Sequence, residues 1–414
     1  MLARVLIVCL SIALPSIAGA ADARRSSLQT AVASVDAVQS RRRPVVRPSD
    51  DPQSWLRRNA IPIEGVDPGV SDADLQPLGQ LFVESRVIAL GEATHGTAEF
   101  ITLKHRLVRY LVENHGARLL LIEGLWPEFL RVNAYLINGT GDPSALIRHE
   151  NYWFHATTEM LDLLLWIRSW NINHAEDPIR IAGFDMYLPE SSIGDVIAFL
   201  QETDSSAAPA AEGRYDCFSS SIYNYSERSE SERISCRKQV ALIRQELLER
   251  RSFFESRSSV ERFRQVVLSA RIVEQAEASY SEADVAAQWG VRDAAMAENV
   301  VTILADYPQS TRAVVLAHNG HIGKTAYQSA GSTRVNAPVA SMGSHLRRQF
   351  GGDYFAVGMT SGRGSFWAYS LTPTLALRVQ LLPAPESDSH EDLLSRAGMR
   401  AMIVLCKLVQ RRSG

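Results

Sequence analysis

RVIALGEATHG (86–96) decides the architecture. Its first half is a short, near-continuous apolar run closed by a glycine, the pattern of a parallel strand buried on both faces. Its second half sets a carboxylate, Glu92, three residues before an imidazole, His95, where strand gives way to loop. Open α/β sheets assemble their sites at such carboxyl ends. Three more segments repeat the design: RLLLIEG (118–124) carries Glu123, PIRIAGFD (178–185) ends on Asp185, and RAVVLAHNGH (312–321) carries His318 and His321. YFAVGMTS (354–361) reads as a fifth strand.

Between these runs the period changes to that of helices. Residues 97–115 put Phe100, Leu103, Leu107, Tyr110 and Leu111 on one face, and 127–138 and 158–174 read alike. A further strand pair is expected at 365–371 and 374–382. The stretch 187–310 has no convincing strand; 227–280 is charged and helix-prone, whereas 203–226 is polar, Ser-rich and reads as loop. The expected fold is α/β: a central, mostly parallel sheet flanked by helices, with a large helical insertion over about 187–310 that covers the strand ends, all within one domain spanning 53–414.

Composition is that of an ordinary globular chain and narrows its partners. Of 414 residues 46% are hydrophobic and 21% charged, enough apolar material for a large core. The net charge is -3 with both signs interspersed, so no basic stripe for nucleic acid is present. The first 20 residues read as a secretory signal: Arg4, an apolar run Val5–Leu14 broken only by Ser11, and small residues Ala18-Gly19-Ala20 at a cleavage point. That run is too short to span a bilayer comfortably, so the expectation is a periplasmic or secreted protein with no stable membrane insertion after cleavage. Residues 21–52, rich in Arg, Ser, Pro and Asp, read as a tether. The run Arg41–Arg43 is a solvated charge cluster or a contact with anionic lipid. In an oxidising compartment Cys217 and Cys236, close together in a polar stretch, can form a disulfide, and Cys406 reads as a small core residue.

Absent motifs restrict the chemistry. There is no G-x-S-x-G elbow, HExxH, P-loop or strand-linked G-x-G-x-x-G. What remains is a His/Glu set: His95, Glu92, Glu123, His318 and His321. A neutral imidazole accepts a proton from water near neutral pH, and a carboxylate on its other nitrogen fixes the tautomer. The remaining donors would hold the oxyanion formed when water adds to a carbonyl. Each residue also has a plainer reading: either glutamate could cap a helix, His95 could be a loop histidine, and His318 and His321 a satisfied loop pair. Arg292, in VRDAAMAEN (291–299), could bind a carbonyl or carboxylate or form a structural salt bridge. Asp185 could hydrogen-bond the site, bind a cation or serve as support. His105, His115, His149, His155 and His174 lack comparable context and read as surface or packing residues; His345 is intermediate.

GEATHGTAEF (91–100), LLLIEG (119–124), IAGFD (181–185), VRDAAMAEN (291–299), LAHNGHIGK (316–324) and MGSHL (342–346), in this order, resemble the erythromycin esterase family. The resemblance implies an esterase without a serine triad, acting on a small-molecule ester or lactone with no metal or other cofactor. The histidine of GExxHG, here His95, is the general base toward water; Glu92, Glu123, His318 and His321 match the rest of the pattern. Arg292, Lys104 and Asp185 are assigned to substrate binding. One departure is visible at Lys104, where some macrolide-hydrolysing members carry arginine, whose planar fork grips an oxygen bidentately as lysine does not. Two other readings fit the same residues: a metal-dependent hydrolase or peptidase, with three His and two Glu holding zinc or manganese, and a non-catalytic ligand-binding relative.

Overall fold

The computed structural model describes residues 3–11, 51–149, 152–219, 222–324, 339–370, 375–399 and 401–408. Ten strands occur among them: β1 (Ala3–Ser11), β2 (Ile61–Pro62), β3 (Val87–Leu90), β4 (Ala117–Leu125), β5 (Arg180–Asp185), β6 (Arg312–Leu316), β7 (Tyr354–Arg363), β8 (Ser365–Ser370), β9 (Ala376–Leu381) and β10 (Ala401–Leu408). Eight form one sheet in the order β2-β10-β1-β7-β3-β6-β4-β5. From β1 to β5 every neighbouring pair is parallel, whereas β10 runs antiparallel to both β1 and β2. The central α/β sheet flanked by helices is the expected fold class.

Both sheet faces are covered, which is why the strands are apolar throughout and do not alternate. On one face Ile88, Leu90, Leu120, Ile122 and Val314 pack against Phe100, Leu107 and Leu163 from the helices Ala98–His115 and Thr158–Asn173. On the other, Val87, Ala89, Leu119, Leu121 and Val315 meet Phe199, Ile272 and Val300 from helices of the 187–310 segment. That segment therefore shares the sheet's core, with no strand among its described residues.

One local expectation is corrected. Within 203–226, read as loop, Ala208–Ser219 is an α-helix and Ile222–Glu227 a 3₁₀ turn. Tyr215, Phe218 and Tyr225 are buried in the core, so tertiary packing overrides the weak helix propensity of Gly213 and of the Ser-rich flanks. The same helix carries Cys217, disulfide-bonded to Cys236. Replacing both cysteines by serine is expected to lower the unfolding free energy by about 2–4 kcal/mol, because the denatured chain regains a loop; denaturant melts of the two forms check this.

Ala3–Ser11, within the stretch read as a secretory signal, lies between β7 and β10 as β1. Most of the tether read over 21–52, including Arg41–Arg43, lies outside the described residues. So does the side chain of Cys406, whose backbone belongs to β10.

The antiparallel pair β8–β9 is separate from the main sheet. It sits over the carboxyl ends of the parallel strands, where the Trp367 N–H donates to Gly96 O at 3.0 Å. No helix among the described residues is long and apolar enough to cross a membrane.

Candidate active site

Four parallel strands deliver their carboxyl ends to one edge. β3 leads into Glu92, β4 ends around Glu123, β5 ends at Asp185, and β6 leads into His318. The pairing of β4 with β5 shifts register between Ile122 and Leu125, a bulge at Glu123-Gly124. A bulge re-aims the side chain it carries, and Glu123 lines the cleft above. Gly183 of β5 lies tight under this bulge: a Cβ there would come within 2.5 Å of Gly124 O. The glycines of LLLIEG and IAGFD thus belong to one close approach.

The cleft holds about 720 Å³ and is walled largely by aromatic rings, among them Tyr152, Trp153, Phe154, Tyr280, Trp289 and Trp367. His95, Glu123, His318, His321 and Arg292 all reach it. β8 supplies part of the wall and lies flush against Gly96, where an added Cβ would meet Trp367 O at 2.0 Å. Gly96→Ala must displace the β8–β9 ribbon. Its expected result is a KM raised by about tenfold or more, since an error near 1 Å in a positioning wall is costly; steady-state kinetics decide it.

His95 Nδ1 lies 2.7 Å from Glu92 Oε1, and Lys104 Nζ donates to Glu92 Oε2 at 2.7 Å. Glu92 and Lys104 are buried, while the His95 side chain is 31% exposed to the cleft. Burial alone would raise the Glu92 pKa; the Lys104 ammonium and the His95 hydrogen bond outweigh it and bring it to about 2. A carboxylate kept ionised in this way holds the proton of His95 on Nδ1 and leaves Nε2 as the acceptor.

Glu123 is the second hub. Its Oε2 accepts the His318 backbone N–H at 2.8 Å, while Oε1 lies 3.3 Å from Arg292 Nη2 and 3.4 Å from His321 Nε2. Burial would raise its pKa, but His321 and the other cations hold it well below the carboxylate range. Burial likewise would lower the His321 pKa; Glu123 on one nitrogen and Asp293 on the other (Nδ1 to Oδ1, 2.8 Å) raise it to about 9. His321 is thus an imidazolium at neutral pH. Because its folded pKa lies above the unfolded value, its contribution to stability is complete below about pH 6.5. That contribution fades as pH rises through about 9.

His318 has both ring nitrogens tied to the main chain. Nε2 donates to Ala93 O at 3.0 Å, and Nδ1 accepts from Gly320 N–H at 3.1 Å as the N-cap of the turn Asn319–Ile322. Burial lowers its pKa, consistent with a neutral ring. It clamps the GEATHG loop to the end of β6 and has no free N–H for an oxyanion.

Two residues assigned to substrate binding stand behind the cleft wall. Lys104 contacts Glu92 and, at 3.5 Å, Ala317 O; it compensates the buried Glu92 carboxylate. Asp185 is fully buried, accepting from Arg292 Nε at 3.1 Å and from the Tyr152 hydroxyl at 2.7 Å. Arg292 itself lines the cleft with its charge compensated from behind.

Four contributors escaped the sequence reading. His155, read as surface or packing, is buried and its Nε2 donates to Glu123 O at 2.9 Å; burial holds its pKa at about 4, so the ring is neutral. Tyr152 anchors Asp185, and Phe154 stacks on His95. Asp293 is fully buried, orients His321 and also accepts the Met342 N–H at 2.8 Å. Helical spacing puts Asp293 on the face of Met296, Ala297 and Val300 in VRDAAMAENVV, and a carboxylate on that apolar face was the available signal. His345, by contrast, pairs with Arg348 on the helix Met342–Phe350. Among the described residues no group of three or more His, Cys, Asp or Glu presents converging metal ligands.

An α/β sheet whose strand ends gather a carboxylate-bound histidine, a buried imidazolium and a clamped arginine around an aromatic cleft suits hydrolytic chemistry, and the comparisons with known proteins support a hydrolase. The chain belongs to the erythromycin esterase family, whose family model matches residues 112–413. It is 25% identical to the erythromycin esterase type II of Escherichia coli, over 75% of this chain and 77% of that protein. A shorter match, 28% identical over 33% of this chain and 30% of the relative, is to the putative hydrolase YbfO of Bacillus subtilis strain 168. The fold is similar to that of a crystallised Bacillus cereus protein (TM-score 0.71, 26% identity, 84% and 83% of the two chains). A histidine-to-asparagine mutant of the erythromycin esterase EreC, in its open conformation, has a similar fold too (TM-score 0.62, 20% identity, 80% and 85%).

Proposed function

We propose that this hydrolase opens a carboxylic ester or lactone of moderate size, macrolides included, by attack of water that His95 deprotonates. The observation that carries the reading is the Lys104–Glu92–His95 chain, which ends on a partly exposed imidazole facing an aromatic cleft. Glu92 keeps the proton on Nδ1, so Nε2 takes one from water. Arg292 faces the oxyanion that forms as water adds, and the His95 imidazolium returns the proton it took from water to the leaving alkoxide; His321, held between Glu123 and Asp293, keeps Glu123 ionised and in place. The cleft volume of about 720 Å³ suits a drug-sized ligand. Incubation of the purified protein with a panel of macrolides and simple esters, read by mass spectrometry, tests this: the expected product is the substrate plus one water. Thermal stabilisation by a ligand that is never turned over would replace the reading with that of a binding protein.

We further propose that the protein is exported to the periplasm or beyond. The apolar N-terminus and the Cys217–Cys236 disulfide both support it, since such bonds persist in oxidising compartments. Mass analysis of protein from its native host is expected to find a mature N-terminus near Ala21. Cleavage there would take β1 out of the sheet, so a chain beginning at Met1 would refute cleavage and leave export resting on the disulfide.

A further inference from the structure

The hydrogen bond to Glu92 does not by itself fix His95. Cβ and Nδ1 define an axis, and the imidazole can still tilt about it, sweeping Nε2 away from a bound substrate. The Phe154 ring removes that freedom: it lies parallel to the imidazole, with centroids 4.1 Å apart and planes within 13°. Phe154 is held in turn by its neighbours. The Tyr152 hydroxyl bonds Asp185, His155 Nε2 bonds Glu123 O, and Trp153 meets Tyr369 of β8 edge-on at 6.0 Å. Four consecutive aromatic residues, Tyr152 to His155, thus reach four parts of the site. Phe154 alone faces the base.

We propose that Phe154 is a positioning residue for the reaction: with Glu92 it forms a slot that sets the imidazole plane of His95 and aims Nε2 at the attacking water. The proposal rests on His95 being the base. The imidazolium formed when His95 takes the proton stays over the face of the phenyl ring, where the ring's negative quadrupole attracts it. Phe154 therefore acts on the step in which the base carries charge, more than on ground-state binding.

The experiment uses the full-length protein and p-nitrophenyl butyrate as probe. Phe154→Leu keeps apolar bulk but offers no plane, and a half-buried position lets it fold; a melting curve checks that. The expected result is a kcat lower by about tenfold or more with KM changed less than about threefold, and recovery of most of the loss in Phe154→Tyr or Phe154→Trp. A KM increase with kcat intact would make Phe154 a mere wall residue and overturn the proposal. A second arm places free imidazole in the slot. In His95→Ala, added imidazole should restore hydrolysis above the enzyme-free rate, and in His95→Ala/Phe154→Leu it should not. Equal rescue in both backgrounds overturns the slot. Full activity of His95→Ala without imidazole would instead remove the base itself, a different failure.

Discussion

His95→Ala is expected to lose about 10²–10⁴-fold in kcat on any ester the protein hydrolyses, the range a positioned general base supplies. Its folding free energy should change by no more than about 1 kcal/mol, because the side chain is partly exposed and surface-type losses are small. The two readouts diverge for a physical reason. Glu92 keeps its Lys104 partner at 2.7 Å when the imidazole is gone, so no buried charge is orphaned. Replacing His318 has the opposite profile. Its ring ties Ala93 O to the Gly320 N–H, so its loss loosens the GEATHG loop and costs stability as well as rate. Comparison of kcat and melting temperature for the two variants separates a base from a clamp. Wild-type kcat in folded His95→Ala would end the mechanism.

The strand ends were legible because buried parallel strands leave an unmistakable apolar signature, and a charged residue closing such a run needs a reason. That logic found Glu92, Glu123, Asp185 and both histidines of AHNGH. Tyr152, Phe154 and His155 were illegible because their partners (Asp185, His95 and the carbonyl of Glu123) lie 30 to 60 positions away, and the segment carries no periodic pattern. Lys104 was noticed but misplaced: helical spacing shows which face it occupies, not that the face meets Glu92 and not the cleft. Asp293 was passed over in favour of its neighbour Arg292, since sequence cannot show that a helical carboxylate is fully enclosed. The helix Ala208–Ser219 was lost for a related reason: it is set by a disulfide and by the burial of Tyr215 and Phe218, both long-range effects.

Lys104→Met carries the second large effect, on stability. The substitution conserves the apolar stem and removes the ammonium, leaving Glu92 buried with only the His95 hydrogen bond. Breaking one side of a buried ion pair costs about 3–5 kcal/mol, because the remaining charge is still desolvated. The pH dependence follows from Glu92. In the wild type its pKa, about 2, lies below the unfolded value, so its stabilisation is present above pH 4.5 and disappears as pH falls through about 2. Without Lys104 the burial cost prevails, the folded pKa moves upward, and acid now protonates Glu92 at little cost. The stability gap between wild type and variant should therefore be widest at neutral pH and close on acidification, as denaturant titrations across pH 3–8 would show. Combining Lys104→Met with Glu92→Gln removes the orphaned charge and should recover most of the stability. It should not recover the rate, because a neutral amide no longer stabilises the His95 imidazolium. If the double variant regained activity along with stability, Glu92 would be a packing group and the Lys104–Glu92–His95 chain would have no part in catalysis.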